Sequence, residues 1–266
     1  MRIVDAGHAV FALTMLGVGI LGFVQGDFVQ IWQPVPKAWP AREALVYLCA
    51  AVSLSCGAGL LWCRTAATAA RVLFFYLLVW MLLVKVRFIF LAPTAEVSYQ
   101  SNGENAVVVA GAWVLYATLA SAWDRRHLEF FSGETGLRVA RALFALALIA
   151  FGLSHFFYLQ FTAPLVPAWL PWPVGWAYFT GCTYLAAGLA VLTGVCAKPA
   201  ALLVTLQMGL LTLLVWPPLA LAGTITAGQW GEFAVSWILT AAAWVVANSY
   251  HGAGWFVARA RTRVAT

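Results

Sequence analysis

The sequence predicts an all-α, polytopic membrane protein: two four-helix transmembrane bundles, eight spans in all, related by a parallel internal repeat. Three observations predict it: the composition, the length of the apolar runs, and the recurrence of the first half in the second. Of 266 residues, 64% are hydrophobic and only 9% charged, too few charges for a water-soluble domain of this size. A helix rises ~1.5 Å per residue, so ~20 apolar residues cross ~30 Å of hydrocarbon. Runs of that length fall near residues 8–30, 44–62, 72–92, 106–123, 142–160, 174–193, 199–222 and 233–249.

The first run is long, has no small-x-small cleavage site before a polar segment, and leads into further spans. It is read as a retained helix, not a signal peptide. The second carries Cys49, Cys56 and Cys63 at intervals of seven, one helical stripe with ~10 Å between neighbours, which excludes disulfides among them. Buried thiols commonly pack as small core residues, so no metal is assigned to the stripe. Lys85 and Arg87 lie in the third run, and Glu104 opens the fourth. The polar linker "SAWDRRHLEFFSGETGLRVAR" follows from Ser121 and carries four arginines. His155 sits near the end of the fifth run, Gln207 in the middle of the seventh, and Glu232 opens the eighth. The prolines of "VPAWLPWP" and "WPPLA" end helices and stiffen loops in this reading. The domains are therefore residues 1–123, a first bundle; 124–141, a cytoplasmic linker; 142–250, a second bundle; and 251–266, a basic cytoplasmic tail.

Arg2, Arg64, Arg71, Arg125, Arg126, Arg138, Arg141, Lys198, Arg259, Arg261 and Arg263 fall at the termini or in the even-numbered loops, whereas the odd-numbered loops hold only Lys37 and Arg42. The positive-inside rule then puts both termini in the cytoplasm of a multi-pass inner-membrane protein. The pI near 9.3 reflects topology and anionic lipid, so the lipid bilayer is the expected partner and nucleic acid is not. Tryptophans at the loop edges, Trp32, Trp39, Trp169, Trp172, Trp176, Trp216 and Trp230 outside and Trp62, Trp123 and Trp255 inside, read as interfacial belts. The tail "WFVARARTRVAT" alternates Arg with apolar or small residues, a pattern suited to a lipid-facing anchor.

The repeat is visible by comparing the chain with itself. "VPKAWP" at Val35 recurs as "VPAWLP" at Val166, and an offset of 131 matches Tyr47 with Tyr178, Gly57 with Gly188 and Leu61 with Leu192. "GENAV" at Gly103 meets "GEFAV" at Gly231. Four spans per unit is an even number, so both units enter from the same side and are related by an axis along the membrane normal.

Ionisable groups within spans are costly in lipid unless paired or wet, which makes each a candidate site. His155 lies 14 residues beyond Arg141 and Lys85 14 beyond Arg71, the same depth of ~21 Å from the cytoplasmic face. Asp27, Arg87, Glu104 and Glu232 fall in the same outer portion. Snorkelling of Lys85 or Arg87 and helix-dipole placement of the glutamates are the plain alternatives. Because Lys85 and Arg87 occupy different helix faces, one must point inward, to pair with Asp27 or Glu104. Each carboxylate is expected in its own bundle, with His155 facing the second bundle's interior near Glu232 or Tyr184. For His155 two readings stand: a neutral imidazole bonded to a carbonyl or serine, or a proton-handling group for a headgroup such as a quinone.

"GLSHF" (Gly152, His155, Phe156), "APLVPAWLPWP" from Ala163, and "YLAAGLAVL" from Tyr184 with its Gly188 resemble the DoxX family of membrane proteins. "PVPKAWP" and "CGAGLLW" extend the resemblance to the first half, as a tandem pair covering nearly the whole chain. It implies four-helix membrane units and a membrane subunit or quinone-contacting component of an oxidoreductase system, with a separate redox protein as partner. His155 is then the catalytic candidate, and Asp27, Lys85, Arg87, Glu104, Tyr184 and Glu232 form the ligand-binding set. Gly22 stands where the second half has His155, which confines any role of the histidine to one half. A non-enzymatic membrane scaffold or assembly partner is the alternative, and the parallel repeat admits a small-molecule transporter as a third.

Overall fold

The structure, a computed structural model, describes residues 5–256. Arg2, Arg259, Arg261 and Arg263, and most of the expected basic tail, lie outside the described residues. Within them the chain is helical with no β-strand, and eight helices are at least 20 residues long: α1 (Ala6–Gln25), α2 (Arg42–Leu61), α3 (Ala66–Leu91), α4 (Glu96–Leu119), α5 (Glu134–Phe157), α6 (Pro173–Thr193), α7 (Ala197–Leu221) and α8 (Ala227–Asn248).

Seven of these, all but α4, are long and apolar enough to cross a membrane. Helix α4 begins "EVSYQSNGEN", and its polar first turns lower its hydropathy. It is also enclosed, with every residue from Asn105 to Tyr116 buried. A helix wrapped by its neighbours presents little surface to lipid and need not be apolar throughout.

Local chemistry sets the helix ends. The Asp5 carboxylate accepts the His8 N–H at 2.9 Å and caps α1, which stops at Gly26 in the left-handed region (φ 61°). Reciprocal capping boxes start the short helix Ala122–His127 (Ser121 with Asp124) and α8 (Thr226 with Gln229). Several helices start before their apolar runs, so Glu104 lies in the third turn of α4 and Glu232 in the second turn of α8, not at helix openings. The helix-dipole reading of these two glutamates loses its basis, because that effect fades within the first turn. Pro217 and Pro218 do not terminate α7, which runs on to Leu221. Cys63 lies past the end of α2, leaving Cys49 and Cys56 as the buried pair of the expected stripe.

Helix packing follows a recurring geometry. A Cβ on Gly19 of α1 would sit 2.6 Å from Leu54 N and 2.8 Å from Ala50 O of α2, and one on Gly57 would sit 2.7 Å from Leu16 N and 2.8 Å from Ala12 O. Between α5 and α6, a Cβ on Gly152 would meet Leu185 at 2.6 Å and Gly181 O at 2.9 Å, and one on Gly188 would meet Ala145 O at 2.8 Å. Small residues let membrane helices approach this closely, where packing and not hydrophobic expulsion holds them together. Each long helix packs on its neighbours in sequence; α4 and α8 also pack on each other, and α1 closes against α8.

One end of the molecule gathers the described chain termini, the α2–α3 turn, the 120–133 segment and the α6–α7 turn. His8 Nε2 meets Leu60 O at 3.0 Å, and Arg141 Nε donates to Ser249 Oγ at 3.0 Å while its guanidinium stacks over Tyr250 at 4.0 Å. Asp124, buried in the linker, accepts from Arg71 (2.9 Å), Tyr116 (3.2 Å) and Ser121 Oγ (2.5 Å). The opposite end carries residues 26–41, 92–95, 158–172 and 222–226, and the polar groups of interest lie towards it.

Candidate binding cavity

A cavity of about 480 Å³ opens among α5, α6, α7 and α8, with Gln100 and Glu104 of α4 completing its wall. Its surface is mostly apolar, supplied by residues such as Leu203, Leu206, Leu210 and Val235, with a few polar side chains converging on it. A concave apolar slot with sparse polar groups is the general form of a small-molecule site.

His155 is half-buried on the last turn of α5, and its ring lies 5.6 Å from that of Tyr184. Its Nδ1 is 2.8 Å from Phe151 O. A carbonyl oxygen only accepts, so Nδ1 carries the hydrogen and the neutral ring keeps Nε2 as an acceptor. Gln207 of α7 lies beside the Tyr184 phenol. Thr183 Oγ1 is 2.5 Å from Gln207 Oε1, and Gln207 Nε2 is buried without a partner. Thr183 also reaches Thr180 O at 2.8 Å, and its single hydroxyl hydrogen serves one of these two acceptors. Turning the Gln207 amide over would satisfy Thr183 from Nε2 but strand Oε1 in its place, so one polar atom of this amide stays unpaired either way.

Two carboxylates lie on the same wall. Glu232 is exposed and accepts a short hydrogen bond from Gln30 Nε2. Glu104 is half-buried and interacts electrostatically with both Glu232 and Lys85. Glu104 therefore lines the cavity of α5–α8 and not a pocket of α1–α4, contrary to the expectation that each carboxylate serves its own bundle. The cause is the α4–α8 contact, which brings the two glutamate-bearing helices together.

The structure separates the remaining expected residues from this cavity. Lys85 is 1% exposed and does point inward, at a π-helical turn (Met81–Lys85) of α3. It donates to Gln33 O in a short bond and to Ser101 Oγ at 2.9 Å, behind the cavity wall. Arg87 is exposed and stacks over Phe88, as snorkelling predicts. Asp27 pairs at 2.6 Å with Arg42 instead of Lys85 or Arg87. Burial pushes its carboxyl pKa up, but the Arg42 and Phe28 N–H bonds and the charges of Arg42 and Lys37 outweigh that and hold it below the ordinary value.

Sequence reasoning missed the segment that fills the space among α1–α4. Residues 28–33 fold inward, with Phe28, Val29, Ile31 and Trp32 buried and a 3-10 turn at Gln30–Trp32. Trp32 is 2% exposed, packs edge-on against Trp80 (5.9 Å) and Tyr76 (5.7 Å), and is no interfacial belt residue. Trp216 is also buried, donating to Ser236 Oγ at 2.9 Å. Asn105 secures the plug by donating to Ile31 O at 2.8 Å. The signal was present in "DFVQIW", a loop too apolar to be left in water. Trp169, Trp172 and Trp230 are exposed as a belt requires.

Among the described residues no three His, Cys, Asp or Glu side chains converge on one point. The fold and cavity define an all-helical protein with membrane-length apolar helices and, near one end, a mostly apolar slot on which a few polar groups converge. Comparison with known proteins adds no relative: no protein-family model matches the chain, and no curated protein and no solved structure matches it.

Proposed function

We propose that the chain is an eight-span inner-membrane protein of two DoxX-like halves whose cavity holds a lipid-soluble, quinone-type headgroup, as the membrane component of an oxidoreductase system with a separate redox partner. Support for the halves comes from the packing. The contacts of Gly57 with Ala12 and Leu16 match those of Gly188 with Ala145 and Ile149, and those of Gly19 with Ala50 and Leu54 match those of Gly152 with Gly181 and Leu185, at offsets of 131 to 133. In the eight-span arrangement α4 crosses inside a collar of the other helices. The loop arginines favour cytoplasmic termini, which puts the cavity in the periplasmic half.

The observation that carries the functional reading is that one apolar slot holds both His155 Nε2, an acceptor with no partner among the described residues, and the one unpaired polar atom of the Gln207 amide. A flat quinol ring meets both groups, one hydroxyl donating to His155 Nε2 and the oxygen at the opposite edge engaging the Gln207 amide, whereas the oxidised quinone, which has acceptors only, reaches Gln207 alone. The plug in α1–α4 leaves this chemistry to the second half, where Gly22 has become His155. Titration of the purified protein with a short-chain ubiquinol analogue tests the reading through tryptophan quenching, since Trp176 and Trp216 line the cavity. Saturable quenching that weakens in His155→Ala and Gln207→Leu is expected. Linear, unsaturable quenching in the wild type would refute it.

A further inference from the structure

A second concavity, of about 730 Å³, runs along the contact of α4 with α5 and the end of α3. Its apolar wall follows α5 from Leu143 to Tyr158, a length of ~22 Å at ~1.5 Å per residue. One leaflet of a bilayer contributes about half of the ~30 Å hydrocarbon core, so the groove is long enough for a lipid acyl chain. Leu146, Leu153 and Phe157 on this wall are exposed to the surroundings of the bundle.

The polar end of the groove is unusual in sign. Among the described residues, both carboxylate oxygens of Glu96, on the first turn of α4, are buried without a hydrogen-bond partner, and so is Asn102 Oδ1. Asn102 is 8% exposed, and its Nδ2 donates to Lys85 O and Ser98 O, both at 2.8 Å. Two carbonyl acceptors fix that amide, so Oδ1 is a true unpaired acceptor. The Tyr99 hydroxyl is engaged on Pro93 O, and no Lys or Arg lines the groove. The Tyr158 hydroxyl accepts the Val97 N–H at 3.2 Å, which fastens the Glu96 end of α4 to the upper end of the groove. Helix-dipole placement alone does not explain Glu96, because its oxygens accept none of the first-turn N–H groups. Buried acceptors without donors are costly, most of all when charged.

We propose that this groove is a lipid site selective for a primary-ammonium headgroup, the ammonium donating to Glu96 and Asn102 while one acyl chain lies along α5. A primary ammonium brings N–H donors and one positive charge to a groove whose polar end holds a carboxylate and an amide oxygen, neither with a donor among the described residues. A quaternary ammonium brings the charge without the donors, and a glycerol headgroup brings donors without the charge.

Native mass spectrometry of the detergent-purified protein, titrated with phosphatidylethanolamine, phosphatidylcholine and phosphatidylglycerol of identical acyl chains, tests this. Phosphatidylethanolamine is expected to bind about tenfold more tightly than the other two, the equivalent of one charge-assisted hydrogen bond. Glu96→Gln should erase that preference, Leu153→Trp should weaken all three lipids, and His155→Ala should change neither. Equal retention of the three lipids, or a preference that survives Glu96→Gln, would overturn the proposal. Displacement of the lipid by millimolar free ethanolamine would overturn the acyl-chain part of it.

Discussion

Replacing Gly57 by alanine probes how the helix pairs are held. The added Cβ would lie 2.7 Å from Leu16 N and 2.8 Å from Ala12 O, and ordinary contact begins at 3.4 Å. Both obstacles are α1 backbone, so the helices must separate along their contact instead of rotating a side chain. Overpacking of this kind costs about 1–3 kcal/mol, whereas alanine gains about 1 kcal/mol over glycine in a helix interior. Gly17 supplies the control, because a Cβ there meets nothing within 4 Å and only the helix-propensity gain remains. Gly57→Ala should therefore fall about 1–3 kcal/mol below Gly17→Ala, a factor of about 5 to 150 in the folded-to-unfolded ratio. Gly188→Ala, facing Ala145 O and Ile149 at 2.8 Å, should lose a similar amount. With Cys63, Cys182 and Cys196 replaced by serine in every variant, heating the detergent-solubilised proteins with a thiol-reactive dye reads unfolding through the buried Cys49 and Cys56. Equal stability of Gly57→Ala and Gly17→Ala would refute the close-packing account, and a loss at Gly57 with none at Gly188 would refute the equivalence of the two pairs.

Two further outcomes follow from the buried polar groups. Burial raises the Asp124 pKa, but hydrogen bonds from Ser121, Arg71 and Tyr116 outweigh it and hold the carboxyl below its ordinary 3.8. Its contribution is thus present above pH 3.8 and lost as pH falls through the lower folded value. Asp124→Asn should cost about 1–3 kcal/mol near neutrality, with the gap to wild type closing in melting curves taken below that pH; a gap independent of pH would contradict the ionised network. Lys85→Met should cost about 1–3 kcal/mol by removing the buried donor to Gln33 O and Ser101 Oγ together with the charge that acts on Glu104, and adding Glu104→Gln should restore the charge-dependent part of it; strictly additive losses in a double-mutant cycle would show that the two do not interact.

The architecture was legible where it rests on composition. Long apolar runs marked all eight long helices, but the run at 106–123 caught only the later part of α4, whose first turns carry Asn102, Glu104 and Asn105 among neighbouring helices and leave it short of membrane-length apolarity. Helix boundaries shifted outward wherever a polar residue found a cap, as at Thr226, or a tertiary partner, as at Asn102. His155, Tyr184, Glu104 and Glu232 line one cavity, and depth counting had placed His155, Glu104 and Glu232 in the same outer portion of the membrane, with the glutamates above the histidine. The same counting could not tell Lys85 from Arg87 by partner, nor foresee that Asp27 would take Arg42, since loop geometry decides both. Least legible was the inward fold of residues 28–33, which fills the interior of α1–α4 with Phe28, Val29, Ile31 and Trp32.

The central claim is that the slot beside His155 receives a quinone-type ring. Photolabelling of the protein in native membranes with an azido-ubiquinone, followed by peptide mapping, measures it most directly. The account predicts label on α5, α6 and α7 around His155, Tyr184 and Gln207, suppressed by excess unlabelled ubiquinone and absent from the plugged interior around Trp32. Label confined to the lipid-facing surface and insensitive to competition would contradict it.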